Sequence, residues 1–482
     1  MLKFNKPFNP FPSGKYANVF SRGLAVFLAF SVFPFALSGC VSDTGVEPYR
    51  ASKEELEAAS AAAGRNMLRI GCWIPPRPHQ MTTDEEAEAR MKEVAESGLN
   101  MVSTHHDDLK DMGFIHRIIK AGAKYGVEVM IELNSDLSDS GIEANLNVVR
   151  ETKDYANLFG YNLFDEPGES AREALTGEYA LVKELAPDKF VMLNLLPNYG
   201  PQDAMAPVIT KGLTWYRTYV DNFAQTGSEA ISFDSYPYRA VGEYEAWSRF
   251  ISNSCDLVLA SRKYDRPVWG FVQDSSWSGM YMPEEEALRM LCHMHLLFQM
   301  KSYSYFLYAQ PWEDDGSGFS AMLNWDGKLT RTYYRVQKNN AELANFGYRV
   351  LSYDLKGIYA ERLTKEHRDA VDKSLRLTSG SCFKSVDVED GHEIIAGIFT
   401  PRSAEANARD GYANDTADEA VYVINFSHSV RKTVTVNFKG VREYTVWGPD
   451  GIEDMGAASS LKLDLPAGDA RFIEFKTFGT DG

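Results

Sequence analysis

Cysteine is scarce: five in 482 residues, Cys40, Cys72, Cys255, Cys292 and Cys382. None stands at metal-ligand spacing, and the last four are too scattered to frame a chain this long with disulfides, so buried free thiols are expected. Positive charge is also in deficit. Fifty Lys+Arg against 67 Asp+Glu leave a net −17; a protein that lives on phosphate contacts needs a basic face, so nucleic-acid binding is disfavoured. No Gly-rich phosphate loop follows any strand-like run, which argues against phosphosugars. With 44% hydrophobic and 24% charged residues, the composition excludes disorder and a polytopic membrane protein.

One uncharged run stands apart. Lys3, Lys6, Lys15 and Arg22 precede Gly23–Gly39, the basic-then-apolar layout of an export signal, too short and Pro-interrupted for a comfortable membrane span. It closes on Leu37-Ser38-Gly39-Cys40, which resembles the lipobox of bacterial lipoproteins. That resemblance implies a signal peptide over 1–39 and lipidation of Cys40 as the new N-terminus. The protein is then expected at a bacterial membrane, as an outer-membrane lipoprotein facing periplasm or cell surface. Residues 40–65, polar and Ala/Glu-rich, are expected to be a tether.

Apolar runs bounded by turn chemistry recur at Arg69–Pro75, Leu99–His105, Val127–Asn134, Phe159–Phe164, Phe190–Leu195, Ala230–Ser235, Pro267–Val272 and Tyr303–Gln310. Their starts lie 30, 28, 32, 31, 40, 37 and 36 residues apart, the room that a strand, a helix and two loops require. Amphipathic stretches fill the gaps, at Asp84–Ser97, Asp111–Lys124, Gly177–Leu185 and Glu284–Gln299, and a last helix is expected over Tyr333–Phe346. Eight such units predict an α/β fold, a (β/α)8 TIM barrel over 66–350. From 375 to 482 short alternating strands predict a small C-terminal antiparallel β-sandwich domain, with the boundary inside Gly347–Ser374.

In such a barrel the working residues close the strands. Here these are Trp73; His105-His106-Asp107; Glu132 and Asn134; Asp165-Glu166; Asn194 and, beyond it, Tyr199; Asp234 and Tyr236; Gln273-Asp274 with Trp277; and Gln310 with Trp312. Carboxylates and amides match sugar hydroxyls, and Trp and Tyr offer flat faces to pyranose C–H groups, so a carbohydrate is the expected partner. The two histidines and Asp107 are a metal alternative, but adjacent residues on a strand face opposite ways, so neither metal nor cofactor is expected.

Tyr161-Asn162-Leu163-Phe164-Asp165-Glu166-Pro167 resembles the acid/base strand of clan A glycoside hydrolases of the kind found among bacterial carbohydrate-utilisation lipoproteins. Asp326–Tyr334, ahead of Asn339-Asn340-Ala341-Glu342-Leu343, is similar to the closing segment of beta-galactosidase-like barrels. The resemblance covers about 68–346 and implies a glycoside hydrolase with Glu166 as general acid/base. It also implies a nucleophilic Glu ending strand seven, where this chain reads Phe271-Val272-Gln273-Asp274. Asp274 or Asp234 can stand in, or a carboxylate can activate water in an inverting reaction. A fourth route is that of some N-acetylhexosaminidases, in which Asp165 would orient a substrate acetamido nucleophile while Glu166 protonates the leaving oxygen. Outside catalysis stand a carbohydrate-binding lipoprotein on a barrel that has lost its activity, and a metal-dependent hydrolase.

Overall fold

The computed structural model describes residues 48–62, 68–277, 279–313, 319–389, 391 and 393–476. The signal peptide expected over 1–39 and Cys40 lie outside these residues. The barrel strands are β1 (Arg69–Trp73), β2 (Met101–Ser103), β3 (Glu128–Glu132), β4 (Leu158–Asp165), β5 (Phe190–Leu195), β6 (Ile231–Asp234), β7 (Val268–Gln273) and β8 (Met300–Phe306). Every neighbouring pair is parallel, and β8 returns to β1 through Arg69↔Ser302 and Cys72↔Tyr305 to close the barrel.

Local chemistry sets the alternation. The helix Asp84–Glu96 opens on Thr83, whose hydroxyl accepts from Glu86 N–H while the Glu86 carboxylate reaches back to Thr83 N–H; such a capping residue is worth about 0.5–2 kcal/mol. Inside the barrel Met101, Met130, Met192, Ala230 and Trp269 pack as one buried layer. Gly160 on β4 is obligatory, since a Cβ there would sit 1.8 Å from the Phe190 carbonyl.

The C-terminal strands are β9 (Tyr353–Tyr359), β10 (Phe383–Val388), β11 (Ile394–Pro401), β12 (Glu419–Asn425), β13 (Lys432–Gly448), β14 (Gly451–Leu465) and β15 (Ala470–Lys476). They pair antiparallel in the order β14-β13-β15-β12-β11-β9, with β10 on β13. Val386, Ile398, Val421, Val436 and Ile473 fill a core of their own. The alternate residues Leu355, Phe399, Tyr422 and Phe472 join the core of the barrel and its helices, and the Tyr422 hydroxyl is 2.6 Å from His293 Nδ1 on the helix Glu285–Leu297. Each strand therefore serves two interfaces by the two-residue repeat of its side chains.

Three boundaries differ from those read in the sequence. Tyr353–Tyr359, inside the expected linker, is already a strand of the C-terminal sheet, because its alternating Tyr353, Leu355 and Ile358 are all buried. Where only short strands were expected, Lys432–Gly448 is one long strand with an irregularity between Asn437 and Arg442. The segment expected as a tether is in part docked: Tyr49–Arg50 pairs with Ala457 and Gly456 on β14, Arg50 Nε meets Asp454 Oδ1 at 2.9 Å, and the helix Lys53–Ala62 follows. Its polar composition hides a strand whose bonds are made by backbone.

A Cβ on Gly456 would lie 2.2 Å from the Tyr49 carbonyl. Gly456→Val is therefore expected to expel the 48–62 segment and expose the bonds after Arg50 and Lys53 to trypsin. Cleavage no faster than in the native protein would contradict this docking.

Candidate functional site

The site forms where β4 ends. Asn162 is level with Met192 on β5 but Asp165 with Asn194, so β4 carries one residue more than its partner over this stretch, a bulge. Glu166 follows at φ 54°, the left-handed region that a Glu rarely adopts, and its N–H is held by the Asn194 carbonyl at 2.9 Å. A regular strand would turn residues 165 and 166 to opposite faces. The bulge and the turn bring both carboxyls into the bowl.

One amide gathers the group. Asn194 Nδ2 donates to Asp165 Oδ1 at 3.0 Å and to Asp234 Oδ1 at 3.1 Å, while Ser232 Oγ fixes its orientation by donating to Asn194 Oδ1 at 2.9 Å. The carboxyls of Glu166 and Asp234 are hydrogen-bonded to each other. Burial pushes the Asp165 carboxyl up to about 8, with the nearby charges of Glu132 and Glu166 adding to it. Burial, then Glu166 and Asp165, hold Asp234 well above the usual carboxylate range. Glu166 is raised by burial and pulled back by its bond to Asp234. Carboxyls this close cannot all ionise, so the trio keeps a proton at neutral pH.

Beside it, Glu132 is 1% exposed and spends both oxygens on protein, accepting Trp73 Nε1–H at 2.7 Å and facing His106 Nδ1 at 2.8 Å. Expected to bind substrate, it instead sets the positions of Trp73 and His106. Its hydrogen bond raises the His106 pKa, whereas burial lowers that of His105. The two rings lie 4.0 Å apart on one side, against the expectation of opposite faces, because β2 has ended at Ser103 and a tight turn starts at His106. With Asp107 they bring three potential ligand atoms within 4.8 Å, although Lys110 on Asp107 at 2.6 Å and Glu132 on His106 already engage two of these groups.

Rings wall the opposite side. Phe306 is stacked on Trp73 at 5.3 Å and lies 5.1 Å from Tyr236 and 5.0 Å from Trp277; Phe319 links Trp277 to the half-exposed Trp312. Trp73, His105, Phe306, Trp312 and Phe319 line a cleft of about 300 Å³. Phe306 escaped the sequence reading because β8 starts at Met300 and ends at Phe306, four residues before the expected Gln310. Phe319 lies in a loop that carries no periodic signal. Tyr199, noted beyond strand five but not carried into the expected site, lies near Asp234 and Glu166, with the Arg239 guanidinium 4.5 Å over its ring.

Three expected residues stand apart from this cluster. Gln273 is fully buried, accepting Tyr238 N–H at 3.0 Å and donating to the carbonyls of Tyr238 and Tyr281 at 2.9 and 3.0 Å; it ties two loops together. Asp274 is also fully buried, with neither oxygen hydrogen-bonded among the described residues, and burial raises it strongly. The groups that feel its charge are Cys72, Cys292 and Tyr305, rather than Glu166 or Asp234. Asn134 is exposed and closes a turn by accepting Asp136 N–H at 2.9 Å. Strand seven thus brings no carboxyl to the trio, and Asp234 from strand six is the partner of Glu166.

Comparison of the sequence with protein-family models and with curated proteins gives no match. Among solved structures the fold is similar to a beta-galactosidase from Bacillus circulans sp. alkalophilus (TM-score 0.55, 10% identity, 85% of this chain and 99% of that one). It is also similar to a glycoside hydrolase family 5 protein from Bacteroides vulgatus (TM-score 0.53, 11% identity, 86% and 90%). A third is a GH42 beta-galactosidase catalytic mutant from G. stearothermophilus (TM-score 0.52, 10% identity, 86% and 99%). At this identity the likeness establishes the architecture alone, a parallel eight-stranded barrel followed by a β domain.

The raised Asp165 gives a stability signature. An unfolded Asp loses its proton near pH 4 and the folded one near 8, so between these values the unfolded state binds fewer protons and native stability falls as pH rises. Asp165→Asn, which cannot ionise, is expected to raise Tm by several degrees at pH 8, with the gain vanishing near pH 4. Equal melting of the two proteins at pH 8 would contradict the assigned environment.

Proposed function

We propose that the protein is a glycoside hydrolase in which Glu166 protonates the glycosidic oxygen. The observation that carries this reading is the convergence of Asp165, Glu166 and Asp234 at the strand ends of the barrel, with Asn194 donating to two of them and burial raising all three. A glycosidic oxygen leaves poorly unless an acid stands within hydrogen-bond reach, and Glu166 faces a bowl walled by Trp73, Tyr236, Trp277 and Phe306, suited to a pyranose face. The fold similarity to glycoside hydrolases supports the class of reaction.

The nucleophile has its own reading. The hydrogen bond between Glu166 and Asp234 ties these two carboxyls to each other, whereas the acid and the nucleophile or base of a retaining or inverting pair stand apart, across the bond they cleave. Asp165 and Glu166, by contrast, reach the same bowl side by side, and Tyr236 feels both of their charges. This favours a substrate-assisted route on a 2-acetamido sugar. Glu166 gives its proton to the leaving oxygen as the C1–O bond breaks, the acetamido oxygen closes on C1, and Asp165 holds the acetamido N–H. Water then opens the ring, returning a proton to Glu166.

Glu166→Gln keeps the shape and removes the proton, so turnover of unactivated glycosides is expected to fall by at least about 10²-fold, with a smaller loss on activated aryl glycosides. Near-native activity of the variant on an unactivated glycoside would overturn the assignment. If both forms bind oligosaccharide equally and neither cleaves any glycoside, the protein is a binding lipoprotein instead. Asp165→Asn is expected to depress turnover of 2-acetamido aryl glycosides selectively; equal loss on sugars that carry a 2-hydroxyl would return the nucleophile to a protein carboxylate or water.

We also propose that a diacylated Cys40 anchors the chain to a bacterial membrane, on the basis of the Leu37–Cys40 motif behind a basic and apolar leader. Cys40→Ser is expected to shift the protein from the detergent phase to the aqueous phase or to stall its processing, and unchanged partitioning would refute the anchor.

A further inference from the structure

The opposite mouth of the barrel, where the strands begin, carries a cleft of about 770 Å³. Its floor is aromatic. Phe190 and Trp269 are stacked at 4.9 Å and 12°, and Phe159 lies 4.9 Å from Phe190 and 5.7 Å from Trp269. These rings close the barrel beneath the methionine layer. Phe159 and Phe190 remain partly exposed.

Its rim is cationic in a protein whose net charge is −17. Arg69, Arg262, Arg266, Lys301, Arg402 and Arg409 line it, against the carboxylates of Asp265, Asp354 and Asp410. Arg402 and Arg409 share Asp410, and Arg69 is paired with Glu128 while its guanidinium lies 4.2 Å over the Phe159 ring. Of the other three, Arg262 and Arg266 have no ion-pair partner among the described residues, and Lys301 has only a distant one, Asp354, which Arg402 also approaches at 3.5 Å. Arg262 donates to the carbonyls of Leu355 and Lys356. The Arg266 guanidinium makes no hydrogen bond or ion pair with the described residues. Lys301, 9% exposed, donates to the carbonyls of Leu351 and Tyr353 at 2.9 Å each, and its nearest carboxylate is Asp354 at 4.0 Å.

We infer that this cleft is a second ligand site, which holds an acidic sugar unit with one ring face on the Phe159–Phe190–Trp269 floor and its anionic group among Arg262, Arg266 and Lys301. Flat rings beside cations that outnumber the carboxylates around them select a ligand with an apolar face and a negative charge, and the volume is in the range of small-molecule sites. Lys301 agrees with this: burial has pushed it down to about 7, and an anion in the cleft would stabilise its charged form. The choice of a sugar rests on the carbohydrate reading of the bowl, whereas the cations and rings do not. The site is built jointly by the strand starts and by the C-terminal module, which contributes Asp354, Arg402, Arg409 and Asp410.

The test is calorimetric and fluorescence titration of the full chain with trigalacturonate, with the neutral galactose trimer, and with sodium sulfate at matched ionic strength. Trigalacturonate is expected to bind and to perturb tryptophan emission. The perturbation should be lost in Trp269→Phe while calorimetric binding persists. Arg266→Glu is expected to weaken binding at least about tenfold, the scale of one charge-assisted contact, and Arg262→Glu, at an exposed position, gives a second reading should the first fail to fold. No binding of trigalacturonate, equal affinity in the Arg→Glu variants, equal binding of the neutral trimer, or full displacement by sulfate would each overturn the inference. Because this is read as binding and the Glu166→Gln test as turnover, failure here leaves the bowl's reading untouched.

Discussion

Three carboxyl groups stand around one amide. Asn194, steered by Ser232, donates to Asp165 and Asp234, and Asp234 in turn bonds to Glu166. Such crowding is unfavourable: each group resists ionisation, and a fold selected for stability alone would not assemble it. It is maintained because a bulge in β4 and a left-handed Glu166 leave the neighbouring side chains nowhere else to go. The strain lies in the segment that carries the proton, in keeping with the concentration of unusual backbone at functional sites.

The rest of the barrel serves to hold that cluster still. Glu132 uses both oxygens to fix Trp73 and His106 beside Asp165. Gln273, at the end of strand seven, stitches the loops after strands six and seven through three backbone bonds. Below, methionines fill the barrel and three aromatic rings close its far mouth. The C-terminal sheet buttresses the barrel helices through alternate residues of β9, β11, β12 and β15 and contributes no carboxyl to the trio. The molecule therefore divides its polar chemistry between two ends of one barrel, acidic at the strand ends and basic at the strand starts.

Much of this was legible in the residues. Strand β5 falls at Phe190–Leu195 as read, and most other barrel strands agree to within two residues, because eight apolar runs bounded by turns at 28–40-residue intervals admit few other folds. That Glu166, Asp165, Asn194, Asp234 and Tyr236 come together is legible because strand ends define the bowl. What escaped depends on phase and on three dimensions. A bulge has no sequence signature, so residues alone do not show Asp165 and Glu166 turned to the same side; β8 runs from Met300 rather than Tyr303, which makes Phe306 a strand end; and Asp274, one position past Gln273, lies by Cys72, Cys292 and Tyr305, away from the trio. The docking of Tyr49–Arg50 rests on backbone bonds and on the lack of a side chain at Gly456, which composition cannot reveal.

The central claim is that the trio keeps a proton at neutral pH and that Glu166 takes part in holding it. Infrared difference spectroscopy of the native protein against Glu166→Gln at pH 7 measures this directly, since the protonated carboxyl stretch is distinct from carboxylate bands and the contribution of the remote Asp274 cancels. The account requires a protonated-carboxyl band that is lost or shifted in the variant, and whose intensity in the difference spectrum falls as pH is raised past about 8, where Asp165 titrates. A difference spectrum showing only ionised carboxylate at pH 7 would contradict it.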